Sequence, residues 1–281
     1  MKITFSDFWN PFDPENNFFV HALKQCFDDV EVVLPEDADV MFFSVFGQEN
    51  TMYKHCKKIF FTGENQRPSF KACDYSLTFD FDSYGGKNFR LPLWYLYIDW
   101  FNVKTYLNPE WLIPVSYLYN ENEFTQKQKN KFCSIVFGRN VDSRMNAIQT
   151  LSRYKPVDIF GKINPDFPIP DGEKNKLDLI SNYKFSLCYE NSVTPGYHTE
   201  KLLHGKIAGN IPIYYGDTTI SEDFNSDCFI NATNMSGDEL IDAVRRLDSD
   251  DMLHNKMTST PLFKTEISLD NIINNLYTIL K

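Results

Sequence analysis

Apolar residues fall along this chain in short, spaced runs, several of them followed by stretches whose apolar positions recur three or four residues apart. Lys2–Phe8 reads as a strand. Asn17–Phe27 then gathers Phe18, Phe19, Ala22, Leu23, Cys26 and Phe27 on one helical face. Val30–Leu34, Val40–Phe46, Lys58–Thr62 and Tyr75–Phe79 are compact apolar runs of the kind shown by strands buried on both faces. This alternation predicts a mostly parallel sheet wrapped by helices.

The pattern breaks between Asn108 and Lys131, and the polar stretch Asn120–Lys131 has the composition of a linker. A second series follows. Phe132–Phe137, Val157–Phe160, Tyr183–Tyr189 and Ile211–Tyr215 read as strands, and Asp142–Tyr154 and Thr199–Ala208 as helices. Asn164–Asp178, rich in proline and charge, reads as a loop, and Ile241–Leu247 and Leu269–Leu280 as amphipathic helices. The expected division is a first domain over 1–120, a linker over 121–131, a second domain over 132–265 and a terminal helix over 266–281 packing back on the first. Two α/β domains suit GT-B glycosyltransferases, and equally many dehydrogenases and kinases. In each, the ligand lies outside the carboxyl ends of the strands.

Charge narrows the partners. The chain of 281 residues has 28 Lys+Arg against 38 Asp+Glu, a net charge of −10. That is the wrong sign for a nucleic-acid backbone, whereas a phosphate-bearing small molecule needs only a few placed cations. A neutral acceptor is expected. No apolar run reaches signal-peptide length near the start, and none reaches the roughly 20 residues of a membrane-spanning helix. The six cysteines are scattered without a Cys-x-x-Cys pair, which reads as free thiols in a cytosolic protein.

The richest stretch for chemistry is Cys188–Asp217. A buried strand runs through a turn into a helix opening at Thr199, whose hydroxyl is placed to cap it, and helix N-termini attract phosphate. Lys201 lies in that first turn, within reach of a diphosphate. Glu200 beside it suits a sugar hydroxyl or developing positive charge, or else simple pairing with the helix dipole. Glu64 follows an apolar strand directly, where partial desolvation suits a general base; the competing reading is a turn carboxylate paired with Arg67. Arg144, opening the helix after Phe132–Phe137, offers a second cation with bidentate geometry, and Arg139 competes for that role. Asp80-Phe81-Asp82 has the form of a metal-binding Asp-x-Asp, a triplet short enough to arise by chance. The histidines show no ligand spacing, although His198 stands where it could meet substrate.

Cys188-Tyr189-Glu190-Asn191, Gly196-Tyr197-His198-Thr199-Glu200-Lys201-Leu202 and Ile211-Pro212-Ile213-Tyr214-Tyr215-Gly216 closely resemble the signature of the α-1,3/4-fucosyltransferase family. Upstream, Phe61-Thr62-Gly63-Glu64-Asn65 with Pro68, Asp74-Tyr75 and Arg90-Leu91-Pro92-Leu93-Trp94-Tyr95 resemble the acceptor half of its bacterial members. The resemblance spans most of Phe60–Gly216. It implies an α/β, GT-B-like fold of two Rossmann-like domains facing a central cleft, the first binding acceptor and the second GDP-fucose. It implies an inverting transfer of L-fucose to a GlcNAc-type hydroxyl of a glycan acceptor. Glu64 would be the general base, Arg144 and Lys201 the diphosphate clamp, and Asn191, Tyr197 and Glu200 further donor contacts. Gln66, Arg67 and His198 are added as substrate contacts. No cofactor is required, a divalent cation being optional. Two rival readings remain: a metal-dependent GT-A transferase built on Asp80 and Asp82, and a non-catalytic protein that binds a nucleotide sugar or a glycan. His198 stands where the family more often has an apolar residue, and Pro195 stiffens the turn. The expected setting is the cytoplasm, with room for peripheral membrane association.

Overall fold

The computed structural model describes residues 1–161, 164, 166, 168 and 172–281. The chain divides into two compact units, Met1–Ile113 with Pro195–Tyr197 and Ile267–Lys281, and Pro114–Thr194 with His198–Glu266.

The first unit is built on a six-stranded parallel sheet in the order β2-β1-β3-β4-β5-β6, formed by β1 (Lys2–Ser6), β2 (Glu31–Val32), β3 (Val40–Phe43), β4 (Lys57–Phe61), β5 (Tyr75–Thr78) and β6 (Asn88–Arg90). The central strand β3 is buried at all four positions, which is why it reads as an unbroken apolar run. Strand β1 ends at Ser6, earlier than its apolar pattern suggests. Asp7 takes a left-handed φ of 59° and its carboxylate accepts from the backbone N–H groups of Glu49 and Asn50. Helix α1 (Phe18–Leu23) starts where the Asn17 side chain accepts from Phe19 and Val20 N–H. It stops four residues short of Phe27, because Gln25 and Cys26 bond back by three residues as a tight turn. A two-stranded sheet joins β7 (Ile98–Asp99) to β8 (Ile113–Pro114).

The second unit holds a five-stranded parallel sheet in the order β10-β9-β11-β12-β13. Its strands are β9 (Lys131–Val136), β10 (Val157–Phe160), β11 (Tyr183–Tyr189), β12 (Ile211–Tyr215) and β13 (Ile230–Asn231). Helix α2 (Asp142–Ser152) follows β9, and α3 (Glu173–Ile180) precedes β11. The stretch expected to be a loop through Asp178 is therefore helical from Glu173 onward. Its apolar side chains on one face, Leu177 and Ile180, are too few to announce a helix. Positions 165, 167 and 169–171 of that stretch lie outside the described residues. Helix α4 (Glu200–Ile207) links β11 to β12, and α5 (Gly237–Asp248) and α6 (Asp251–Ser259) follow β13. A Ser236–Glu239 capping box starts α5 ahead of its apolar stripe.

In the first unit, α7 (Asp270–Leu280) lays Ile272, Leu276 and Ile279 into the core that Phe18, Phe42 and Phe61 share. The Lys57 ammonium donates to the Ile279 carbonyl at 2.7 Å. In the second unit, the polar segment after Asn120 is packed. Asn122 accepts from Phe124 and Thr125 N–H, and the Phe124 ring is fully buried. Lys129 donates to the carbonyls of Phe124, Ser181 and Ala208, tying the ends of α3 and α4 together. Burial pushes its ammonium down to about 8.

Helix α4 can lie close over β11 because Gly205 faces Cys188: a Cβ at that glycine would stand 2.8 Å from the buried sulfur. Gly205→Val is expected to cost about 1–3 kcal/mol by overpacking. Urea denaturation checks this, and an unchanged midpoint contradicts it.

Candidate active site

Strand β11 runs out at Tyr189, and Glu190 keeps its N–H on the Tyr215 carbonyl of β12 at 2.8 Å. This fixes the Glu190 side chain, 2% exposed, beneath the start of α4. Its carboxylate accepts from Thr199 N–H at 2.8 Å, from the Thr199 hydroxyl and from the Lys201 ammonium at 2.9 Å. Thr199 is the residue before α4, as expected, but its hydroxyl donates to Glu190 instead of capping the helix. The first turn of α4 is thus held by a buried acid from the neighbouring strand, with Lys201 part of the same bonded group.

Arg144 comes to this place from α2. Its guanidinium, 4% exposed at residue level, donates Nε and Nη2 to the Tyr189 carbonyl at 3.2 and 2.8 Å and Nη1 to the Arg139 carbonyl at 2.9 Å. Arg139 therefore supports Arg144 through its backbone. Arg144, Lys201, Lys176 and His204 line one small cavity of about 30 Å³, walled also by β9 and β11. Burial alone would raise the Glu200 carboxyl, but the ammonium groups of Lys201 and Lys176 bring it down from 4.5 to about 2. That pairing stabilises the fold above about pH 4.5 and is lost as pH falls toward 2. At the end of β11, the Asn191 side-chain oxygen is buried with no hydrogen-bond partner, an acceptor suited to a hydroxyl of a bound molecule.

In the first unit, Glu64 follows β4, with its N–H on the Thr62 hydroxyl at 2.9 Å. Among the described residues no hydrogen bond or ion pair engages its carboxylate. It opens onto a cavity of about 150 Å³ walled by Trp9, Phe46, Leu93, Leu96 and Tyr97. Arg67, the competing partner for Glu64, is instead bonded to Asp80 at 2.9 Å. The Tyr84 hydroxyl donates to the same Asp80 oxygen at 2.6 Å. Asp80 thus pairs with a cation and a hydroxyl instead of with other acids, which does not favour the metal-site reading of Asp80-Phe81-Asp82. No cluster of three potential metal-binding side chains occurs among the described residues.

The other anticipated contacts separate. Gln66 is exposed, its N–H on the Glu64 carbonyl. Tyr197 belongs to the first unit, its buried ring 5.1 Å from that of Phe79. Gly196 beside it has φ +80°, and a Cβ there would stand 2.5 Å from the Phe79 carbonyl. The His198 side chain is 0% exposed, with Nδ1 2.6 Å from Asp223 and Nε2 3.8 Å from Asp217, so it reaches no surface. Sequence reasoning passed over Glu190, Lys176, His204 and the aromatic wall around Glu64. Glu190 carried the same signal as Glu64, a lone acid directly after a buried strand. Lys176 carried none, because its helix was not foreseen.

Two all-parallel sheets, each flanked by helices, define a protein of GT-B-like fold. A crystal structure of an α-1,3-fucosyltransferase with GDP-fucose superposes at TM-score 0.75, with 23% identity over 100% of this chain and 90% of the other. A crystal structure described only as α-1,3-fucosyltransferase gives 0.78 over 99% and 89%. Residues 3–97 match the α-(1,3)-fucosyltransferase FucT N-terminal domain, and residues 125–259 match the glycosyltransferase family 10 (fucosyltransferase) C-terminal region. The chain belongs to this fucosyltransferase family. Among curated relatives, α-(1,3)-fucosyltransferase FucT of Helicobacter pylori is 29% identical over 88% of this chain and 58% of its own length. A putative fucosyltransferase of Acanthamoeba polyphaga mimivirus is 32% identical over 53% and 27%. GDP-fucose protein O-fucosyltransferase 3 of Homo sapiens is 27% identical over 83% and 47%. The chain thus spans less than two thirds of these relatives.

Removing the acid under α4 strands an ammonium and an amide at once. Glu190→Ala is expected to lower stability by about 3–5 kcal/mol in chemical denaturation. A loss under about 1 kcal/mol would contradict the anchoring role.

Proposed function

We propose that this protein is an inverting α-1,3-fucosyltransferase, moving L-fucose from GDP-fucose to a GlcNAc-type hydroxyl of an N-acetyllactosamine or Lewis-type glycan. The observation that carries the reading is that Arg144, bonded to the Tyr189 carbonyl, and Lys201, bonded to Glu190, both stand at the end of β11 beside the first turn of α4. Anions favour that position through the helix dipole, and two cations suit a diphosphate.

In the proposed reaction, Glu64 takes the proton of the acceptor hydroxyl. The resulting oxygen attacks the fucose anomeric carbon as the bond to GDP breaks, and Arg144 and Lys201 receive the charge on the leaving diphosphate. Glu200, kept ionised, faces a fucose hydroxyl or the positive charge that grows on the ring, and Asn191 accepts from a donor hydroxyl. The apolar wall of Trp9, Phe46 and Tyr97 around Glu64 suits the face of a neutral sugar and supports an uncharged acceptor. Two side-chain cations make a metal dispensable. The GT-B-like fold and the pairing of Asp80 with Arg67 do not favour a metal-centred GT-A reaction. Among the described residues no helix is long and apolar enough to cross a membrane. Six thiols without disulfides suit a cytosolic setting, as part of the same reading. Similarity to a relative named as a protein O-fucosyltransferase favours one second reading, in which the acceptor is a protein hydroxyl.

Glu64→Gln is expected to retain GDP-fucose binding while transfer falls about 100-fold or more. Unchanged transfer would remove Glu64 from the base role, and measured turnover in the wild type separates an enzyme from a sugar-binding relative. Lys201→Ala is expected to weaken GDP in calorimetry, with full affinity contradicting the clamp. Transfer is expected to survive EDTA, and its loss would restore a metal. A glycan array with a peptide panel and GDP-fucose decides the acceptor: glycan spots alone support the first reading, peptides alone the second.

A further inference from the structure

The cavity shared by Arg144 and Lys201 has a third cation. Lys176, on α3, lines it too, and its ammonium stands 3.0 Å from His204 Nδ1 and 4.0 Å from Glu200 Oε1. We propose that Lys176 is a positioning residue for the sugar donor, holding the Glu200 carboxylate in place through an ammonium aimed by the ring of His204. The proposal rests on the reading of Glu200 as a donor contact.

The geometry supports a division of labour between the two lysines. Lys201 is 3.8 Å from Glu200 but bonded at 2.9 Å to Glu190, and it is the cation assigned to the diphosphate. A phosphate drawing on Lys201 weakens its hold on Glu200, and the bound anion repels that carboxylate as well. Lys176 then supplies the compensating charge. His204 lies four residues after Glu200, so the same helical face presents both to α3. Burial keeps the imidazole neutral, its pKa well below 6.5, which leaves Nδ1 a lone pair to accept from the ammonium. Burial also lowers the Lys176 ammonium, countered chiefly by Glu200. The groups acting on Glu200 are Lys201 and His204 on α4, Lys176 on α3 and Cys188 on β11, with Glu173 near Lys176 and Glu190 near Cys188. Arg144 lines the same cavity from α2.

The experiment is kcat and KM for GDP-fucose in the wild type, Lys176→Met, Lys176→Arg and Glu200→Gln, with GDP affinity measured in each as a check on the fold. Lys176→Met is expected to lower kcat/KM for GDP-fucose about 10-fold or more by letting Glu200 leave its place, with GDP affinity held within about threefold, and Lys176→Arg to restore it. An unchanged kcat/KM in Lys176→Met overturns the proposal. So does a GDP affinity falling in step with transfer, which would make Lys176 a diphosphate ligand. Wild-type transfer by Glu200→Gln would instead remove the donor reading of Glu200 on which the proposal stands; impaired Glu200→Gln with unaltered Lys176→Met defeats the Lys176 role alone.

Discussion

A buried carboxylate organises the second unit's site. Glu190 comes off the end of β11 buried, and such a group is costly unless cations and N–H donors surround it. Thr199 and Lys201 meet that demand, and in doing so they fix where α4 begins. The position of the helix follows from packing as well, since Gly205 admits it close to Cys188. One acid therefore sets the direction of a helix terminus, the location of an ammonium and the turn that leads to both. Arg144 is fixed from the other side by the carbonyl of Tyr189, the residue just before that acid.

A net charge of −10 does not prevent an anion site, because the field that matters is local. Within the cavity on the second unit, Arg144, Lys176 and Lys201 outnumber the nearby acids Glu190 and Glu200. Low solvent access strengthens each of these charges over its value at the surface. Glu64 sits among aromatic and aliphatic side chains in the first unit, away from other charge in its cavity. The two kinds of surroundings match the two kinds of partner proposed, a charged nucleotide sugar and an uncharged acceptor.

Strands were legible where both faces are buried. Tyr183–Tyr189 and Ile211–Tyr215 match β11 and β12 residue for residue, since each is a mostly apolar run that stops at an acid or a glycine, Glu190 and Gly216. Short edge strands such as β13 have two residues and no period to read. Helices α3 and α6 were missed because their burial comes from one or two side chains each, and tertiary packing rather than amphipathic pattern holds them. The Ser236–Glu239 box before α5 was readable and passed over. For the site, motif resemblance supplied Glu64, Arg144, Glu200 and Lys201. What it could not supply was pairing: that Arg67 goes to Asp80, that His198 is enclosed by Asp217 and Asp223, and that Lys176 crosses from another helix. Such partners are set by three-dimensional approach, which spacing along the chain does not encode.

The central claim is that Arg144 and the first turn of α4 recognise a diphosphate. Calorimetric titration of GDP against guanosine tests it most directly, because the two share a base and ribose and differ only in the group that those cations would hold. Binding of GDP at least about 100-fold tighter than guanosine, some 2.7 kcal/mol, is the predicted result. Equal affinity for the two would contradict it.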